Sequence, residues 1–303
     1  MKRHLSKEAI AGLPDSSGVY LFYGSLGELL YVGKSKTIRT RVRSHFSSPD
    51  ERWPCGRVTR VEARETAGEL GALLLESQLI KELRPLFNVA SRQRRRLIIA
   101  RRATNAQGYT VVNLEAVDFL DVKKTEPILG VFKHKTQAKE YLDLIAKTHR
   151  LCPKLLRLEV ARGYCFSYHL GQCDGACMGE EDPVKYNARV EEAFEERRIK
   201  AWPYDGGVVV EERSKKNSQR EFFLIDNWCL VSSFKSVGDG FEKGVHIQHR
   251  FDYDSYKILL SYMMHPQNHE SITPYSRKEF DKLRGDLHRG EVNILHLDRP
   301  QNT

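Results

Sequence analysis

Apolar and polar positions along the 303-residue chain fall into runs short enough to name its elements. Leu5 to Gly12 has the pattern of a short helix ending at "GLPDSSG". Val19 to Tyr23 and Glu28 to Val32 are apolar runs joined by "GSLG", whose glycines suit a hairpin turn. Thr37 to Phe46 predicts a basic helix and Gly56 to Ala63 a third strand. Ala67 to Arg84 predicts a helix with Leu70, Leu73, Leu74 and Ile80 on one side, stopped by Pro85. The run "SRQRRRLIIARR" reads as a linker entering a strand with basic tips, and Lys135 to His149 as an amphipathic helix through Ala138, Leu142 and Ile145. Lys185 to Ala201 predicts a charged helix, ended by "WPYDGG". Beyond it, Val208 to Glu212, Phe222 to Phe234 with "DN" as its turn, and Val245 to Phe251 predict strands, followed by helical Ser255 to Met264 and a polar tail. The fold class expected is α+β, in three parts: 1–102, 103–204 and 205–303.

Composition alters this picture only when it is located along the chain. Residues 1–102 hold 20 Lys and Arg against 10 Asp and Glu, whereas residues 103–303 hold 29 against 30. The whole excess of positive charge lies in the first third. A polyanion, nucleic acid, is the expected partner there, because Lys and Arg contacts to phosphate release counterions; a merely basic domain is the alternative. Lys34, Lys36, Arg39, Arg43, Arg92, Arg94, Arg95 and Arg96 are the candidate DNA contacts. No run approaches the ~20 apolar residues of a membrane span, and "MKRHLSKEAI" lacks a signal-peptide core, so a cytoplasmic monomer is expected.

The candidate chemistry begins with two near-identical tripeptides, Gly18-Val19-Tyr20 and Tyr31-Val32-Gly33, one on each strand of the first hairpin. Lys34 follows directly, Arg41 and His45 lie on the basic helix, and Glu76 lies in "LLLESQLIKELRP". On a helical wheel at roughly 100° per residue, Glu76 falls between Leu83 and Ile80, inside the apolar arc. A carboxylate there is costly unless it is paired, either by a neighbouring arginine or by a hard divalent cation such as Mg²⁺ or Mn²⁺. Phosphodiester hydrolysis needs a deprotonated water, stabilised phosphoryl oxygens and help for the leaving oxygen. Arg41 suits the second role and a cation on Glu76 the third. For the first, a tyrosine of ordinary pKa near ~10 needs nearby positive charge, which Lys34 and Arg41 could both provide. Of the two tyrosines Tyr31 is the first choice as base and Tyr20 the second; the His45 imidazole, titrating at ~6.5, is the easier base and leaves open which group moves the proton. A stapled aromatic pair is the purely structural reading of the two tyrosines.

This order of elements, with "YVGKSKTIRTRVRSHF", "ESQLIKELRPLFNV" and Asn88 in "FNV", resembles the GIY-YIG nuclease domain of the UvrC family over Gly18 to about Val89. The resemblance extends through "ILGVF" and a cysteine segment to about residue 195, in a chain about half the length expected of a full UvrC. It departs at His45, where UvrC-type sequences commonly have Tyr. It implies a metal-dependent endonuclease of nucleotide excision repair that cuts damaged double-stranded DNA 3′ to the lesion in a complex with UvrB, with Asn88 fixing local backbone and the phosphate environment. A GIY-YIG nuclease acting on branched DNA or restriction sites, and a catalytically silent DNA-binding scaffold, are the rival readings.

Four of the six cysteines, Cys152, Cys165, Cys173 and Cys177, have the spacing C-x12-C-x7-C-x3-C. The C-x2-C pair usual in structural zinc sites is missing. The resemblance to the cysteine-rich region of UvrC implies [4Fe-4S] ahead of Zn, with four partly buried thiols as the bland alternative. Residues 205–303 match no family that the sequence alone suggests.

Overall fold

The computed structural model describes residues 5–47, 56–89, 96–118, 120, 128–237, 240–243 and 251–289. The chain forms two compact units, one of Met1–Arg94 with Trp202–Thr303 and the other of Arg95–Ala201. The expected first boundary, after residue 102, therefore falls inside a strand, Leu97–Thr104.

The first unit opens with helix α1 (Lys7–Ala11), strands β1 (Gly18–Tyr23) and β2 (Leu29–Ser35), helix α2 (Ile38–Ser47), strand β3 (Arg60–Glu65) and helix α3 (Glu69–Leu83). The strands make an antiparallel sheet in the order β2-β1-β3. Because β1 is central, both of its faces are buried and its two-residue period feeds two cores. Tyr20 and Phe22 pack with Leu30, Ile38 and Val42 on one side, while Val19 and Leu21 pack with Val32, Leu79 and Ile80 of α3 on the other. At Gly18 the two strands come so close that a Cβ would lie 2.2 Å from the Arg64 carbonyl oxygen.

The C-terminal part of the same unit contains β7 (Val208–Arg213), β8 (Arg220–Asp226), β9 (Cys229–Val237), β10 (Gly240–Lys243), α7 (Tyr253–Met263), β11 (Ile272–Pro274) and α8 (Arg277–Arg289), with the sheet ordered β10-β9-β8-β7-β11. The "DN" turn is shifted by one residue: Asn227 and Trp228 both have positive φ, the two-residue turn that matches strand twist. The expected polar tail holds helix α8. Phe280 and Leu283 are buried in the sheet's core with Leu287 packed against it, a stripe at i, i+3 and i+7 inside a charged run. Gly207 leaves room for the Phe280 ring, 2.3 Å from where a Cβ would be. The expected strand from Val245 lies outside the described residues except for Phe251, which is irregular.

The second unit has β4 (Leu97–Thr104), β5 (Thr110–Val117) and β6 (Ile128–Phe132) in the order β5-β4-β6, with α4 (Lys135–Thr148), α5 (Phe166–His169) and α6 (Pro183–Ala193). Its core joins Ile98, Val112, Phe132, Leu142, Tyr186 and Phe194 to Cys152, Cys165 and Cys173. The predicted charged helix is shorter than expected, ending in a 3-10 turn at Glu195–Arg197. Among the described residues, no helix is long and apolar enough to cross a membrane.

Two buried carboxylates of the C-terminal sheet, Glu212 and Glu221, stand opposite each other on β7 and β8. Burial pushes the Glu221 carboxyl up to about 7, helped by Glu212 and opposed by Lys235. A carboxyl raised in the folded state holds its proton there after the unfolded chain has lost it, so its stabilising effect is complete below the ordinary carboxylate range and is lost as pH rises toward 7. We expect the melting temperature to fall over that window by the equivalent of on the order of 3 kcal/mol. Glu221→Gln, which keeps an accepting oxygen without the charge, should flatten the profile and melt higher than wild type at pH 8. An unchanged slope in a calorimetric pH series would show that Glu221 does not titrate in this way.

Candidate active site

The β1–β2 register sets the aromatic cluster. Tyr20 pairs with Gly33 and Phe22 with Tyr31, which makes the two tyrosines diagonal neighbours on one face, not an opposed pair. Their ring centroids are 6.2 Å apart. Gly33 is needed there: a Cβ would lie 2.4 Å from the Tyr20 hydroxyl oxygen and 2.7 Å from Cε1 of Tyr31. Helix α2 brings His45 to the same face, with ring centroids 5.5 Å from Tyr20 and 5.9 Å from Tyr31. Its Nε2 is 2.6 Å from the Tyr20 hydroxyl. Phe22, which the sequence does not single out, touches Tyr20, Tyr31 and His45 at once. The signal was available in its place two residues after Tyr20 on the same strand face.

Tyr20 and His45 are both buried. Burial pushes the Tyr20 phenol up; Tyr31 adds to the effect, while Arg41, within hydrogen-bonding reach, pulls the other way without cancelling it. The expectation that cations would favour phenolate therefore fails for Tyr20. Tyr31 is only half-buried.

Glu76 projects from α3 toward the start of the β2–α2 connection. Its Oε1 accepts the Lys34 backbone N–H at 3.1 Å, and among the described residues no hydrogen bond reaches Oε2. Burial raises its carboxyl, with Lys34 opposing. Leu83, its expected neighbour in an apolar arc, is exposed, so the helix buries a narrower stripe than the wheel suggested. The Lys34 side chain lies 3.9 Å from Glu69, which holds Lys36 at 2.7 Å. Asn88 Oδ1 accepts the Val32 N–H at 2.9 Å and its Nδ2 donates to the Val32 carbonyl at 2.8 Å. The side chain thus copies a strand pairing and locks β2. The expected hold on backbone is present, and both ends of the amide are used in it.

Arg41 lies exposed on α2, donating to Ser44 Oγ at 3.3 Å. Of the other candidate DNA contacts, Arg39 donates to the Leu13 carbonyl at 2.7 Å, Arg43 is exposed, and Arg96, in the second unit, pairs with Asp118 at 2.9 Å. Arg92, Arg94 and Arg95 lie outside the described residues.

In the second unit, the sulfur atoms of Cys152, Cys165 and Cys173 lie within 4.8 Å of one another, all buried. Cys177 stands beside this trio, its Sγ accepting the Cys165 N–H at 3.4 Å. A thiol hydrogen bond from Cys152 lowers Cys173 and raises Cys152. The four-cysteine set of the sequence is therefore three converging sulfurs and a flanking fourth.

Comparison with known proteins accounts for most of the chain. Residues 16–89 match the UvrC-like GIY-YIG domain, residues 103–196 the UvrC/Cho excinuclease middle domain and residues 207–278 the excinuclease Cho C-terminal domain. The excinuclease Cho of Salmonella typhimurium strain LT2 is 38% identical over 258 residues, covering 84% of this chain and 85% of that protein. Excinuclease Cho of Escherichia coli K12 is 37% identical, covering 82% of each. UvrABC system protein C of Desulforudis audaxviator is 33% identical over 206 residues, 62% of this chain and 30% of that one. Among solved structures, the magnesium-bound N-terminal GIY-YIG endonuclease domain of UvrC from Thermotoga maritima is 32% identical, covering 27% of this chain and 93% of that one with a TM-score of 0.25. With three consecutive domain matches and this identity across more than four-fifths of the chain, the protein belongs to the excinuclease Cho branch of the UvrC-like GIY-YIG nucleases.

Proposed function

We propose that the chain is a Mg²⁺-dependent endodeoxyribonuclease that cuts the damaged strand 3′ to a lesion, on double-stranded DNA already engaged by UvrB in the cytoplasm. The observation that carries the chemistry is Glu76: a half-buried carboxylate on α3 whose carboxyl burial raises, fixed through one oxygen by a backbone N–H, with its second oxygen open among the described residues. That donor set fits a hard divalent cation, Mg²⁺ or Mn²⁺, which when bound supplies positive charge for the leaving oxygen. Arg41 binds the phosphoryl oxygens in a fork that never loses its charge. Lys34 lies on the same β2 terminus and adds charge toward the backbone. Tyr31, half-buried and beside His45, is the base that draws a proton from the attacking water. Tyr20 stays protonated and keeps the His45 ring in place through the 2.6 Å bond. Nothing in this set reads bases, so the position of the cut is chosen by a partner, as the name of the UvrABC relative suggests for that protein.

Arg41→Ala should lower cleavage by ~10² or more while leaving DNA binding and melting close to wild type. Glu76→Gln should do likewise and remove the dependence on Mg²⁺. Normal cleavage by either variant, on lesion-bearing duplex mapped to the nucleotide, ends the assignment. The same assay without UvrB should give little 3′ incision; equal cutting in its absence favours the branched-DNA or restriction-like reading.

For the base, Tyr31→Phe removes the hydroxyl and keeps the ring, and its rate loss should exceed those of Tyr20→Phe and His45→Ala. If His45→Ala is the most damaging and flattens a pH–rate limb near ~6.5, the base is imidazole.

The cysteine trio supports a thiolate metal centre. At about 2.3 Å from one zinc ion, tetrahedral sulfurs stand roughly 3.8 Å apart, whereas a four-iron cage holds its thiolates on its outside and farther apart. The trio as it stands is compact enough for a single ion, and the flanking Cys177 completes four donors for either centre. Anaerobically purified protein should be brown with broad absorbance near ~400 nm if the centre is iron-sulfur, and colourless with bound zinc otherwise. Cys173→Ser should lose the metal and destabilise the middle unit; Cys229→Ser should not. Neither iron nor zinc in the native protein would return these residues to ordinary core thiols.

A further inference from the structure

Helix α3 has no cap of its own. Its N-cap residue is Gly68, and no side-chain bond of the helix's own satisfies the first turn, whose amides have no intrahelical acceptor. The acceptors come from more than 140 residues away in sequence. Glu212 on β7 takes the Leu70 N–H at 2.7 Å on one oxygen and the Gly71 N–H at 2.9 Å on the other. Glu221 on β8 takes the Ala67 N–H at 3.2 Å.

Both sides are shaped for this contact. A Cβ on Gly68 would lie 2.3 Å from Glu212 Oε1, and one on Gly71 would lie 2.7 Å from Glu221 Oε2. Two facing carboxylates at 8% and 5% exposure are a costly way to fill a sheet face that Val or Phe would pack as well. The helix amides and the positive end of the helix dipole offset part of that cost. At the other end of α3, Lys81 pairs with Asp252 at 2.5 Å and Asp254 at 3.2 Å, the N-cap and first-turn residues of α7. Glu76 lies midway, five residues beyond Gly71 and five before Lys81.

We propose that the C-terminal domain positions Glu76 for its cation: Glu212, with Glu221, seats the start of α3, Lys81 ties its end to α7, and the helix between them presents the carboxylate. The inference rests on the reading of Glu76 as the metal ligand. Glu212 is a positioning residue that acts through the helix backbone. A rigid-body tilt of α3 by the loss of either anchor moves Glu76 away from the Lys34 N–H that orients it.

The test is a titration of the full-length protein with Mn²⁺, read by electron paramagnetic resonance without DNA, alongside the Mg²⁺ midpoint for cleavage. Glu212→Ala and Lys81→Ala should each weaken Mn²⁺ binding by roughly 10-fold and raise the Mg²⁺ midpoint similarly, with cleavage at saturating metal near wild type. Glu212→Gln, which keeps one accepting oxygen, should recover most of the affinity. Folded Glu212→Ala and Lys81→Ala proteins that bind Mn²⁺ as tightly as wild type overturn the proposal. So does a loss of cleavage at all metal concentrations with an unchanged midpoint, which is the mark of a merely structural contact. If Glu212→Ala does not fold, Lys81→Ala and Glu212→Gln decide by the same readouts. Glu76→Gln separates the two ideas: Mn²⁺ binding that survives it refutes the ligand assignment itself, whereas binding lost in Glu76→Gln and intact in the anchor variants refutes only the positioning.

Discussion

The contact on which the nuclease face depends is the one between the Tyr20 ring and the bare α-carbon of Gly33. With no side chain at 33, the hydroxyl end of the Tyr20 ring lies close against β2 there, its hydroxyl meets His45 Nε2 at 2.6 Å, and Tyr31 is left on the same face two residues back along the strand. A single added methyl would drive the phenol off the strand and with it the histidine that helix α2 delivers. The position of α2, and therefore of Arg41, follows from that packing, since Ile38 and Val42 share the Tyr20 core. Asn88 reinforces the same strand from outside by pairing with both backbone groups of Val32.

Three carboxylates of this unit are held by backbone, beside others, such as Asp226 under the Arg277 fork, that are held by side-chain cations. Glu76, Glu212 and Glu221 are all raised by burial, and each is held through main-chain N–H groups and not by an arginine fork. Amide dipoles stabilise a carboxylate without closing off both of its oxygens, which an ion pair of ideal geometry does. At Glu212 both oxygens are used and the result is a cap. At Glu76 one is left open among the described residues.

The middle unit shows a different economy. Its thiols sit in the hydrophobic core beside Tyr186 and Phe194, where neutral sulfur packs as a small apolar group. Three sulfurs within 4.8 Å gain little from packing alone that Val or Ala would not give, and their hydrogen bonds already push Cys152 and Cys173 in opposite directions.

The sequence by itself determined the nuclease half, because its signals are local. A hairpin with a two-residue period, glycines at its turn, a basic helix and a leucine-striped helix stopped by Pro85 are each decided within a dozen residues, and Tyr20, Tyr31, Lys34, Arg41 and Glu76 stood out against them, whereas His45 and Asn88 drew notice through the resemblance to the UvrC family. Helix α8 was legible too, as Phe280, Leu283 and Leu287 at helical spacing, but was hidden by the charge around it. What only the tertiary structure decided was pairing at long range. Which hydroxyl His45 would hold, that burial outweighs Arg41 at Tyr20, that three cysteines converge with the fourth beside them, and that Glu212 caps a helix some 140 residues earlier are set by which faces of distant strands meet. Periodicity tells which side of an element is buried; it carries no information on which partner buries it, and the desolvation that fixes these groups' protonation depends on that partner.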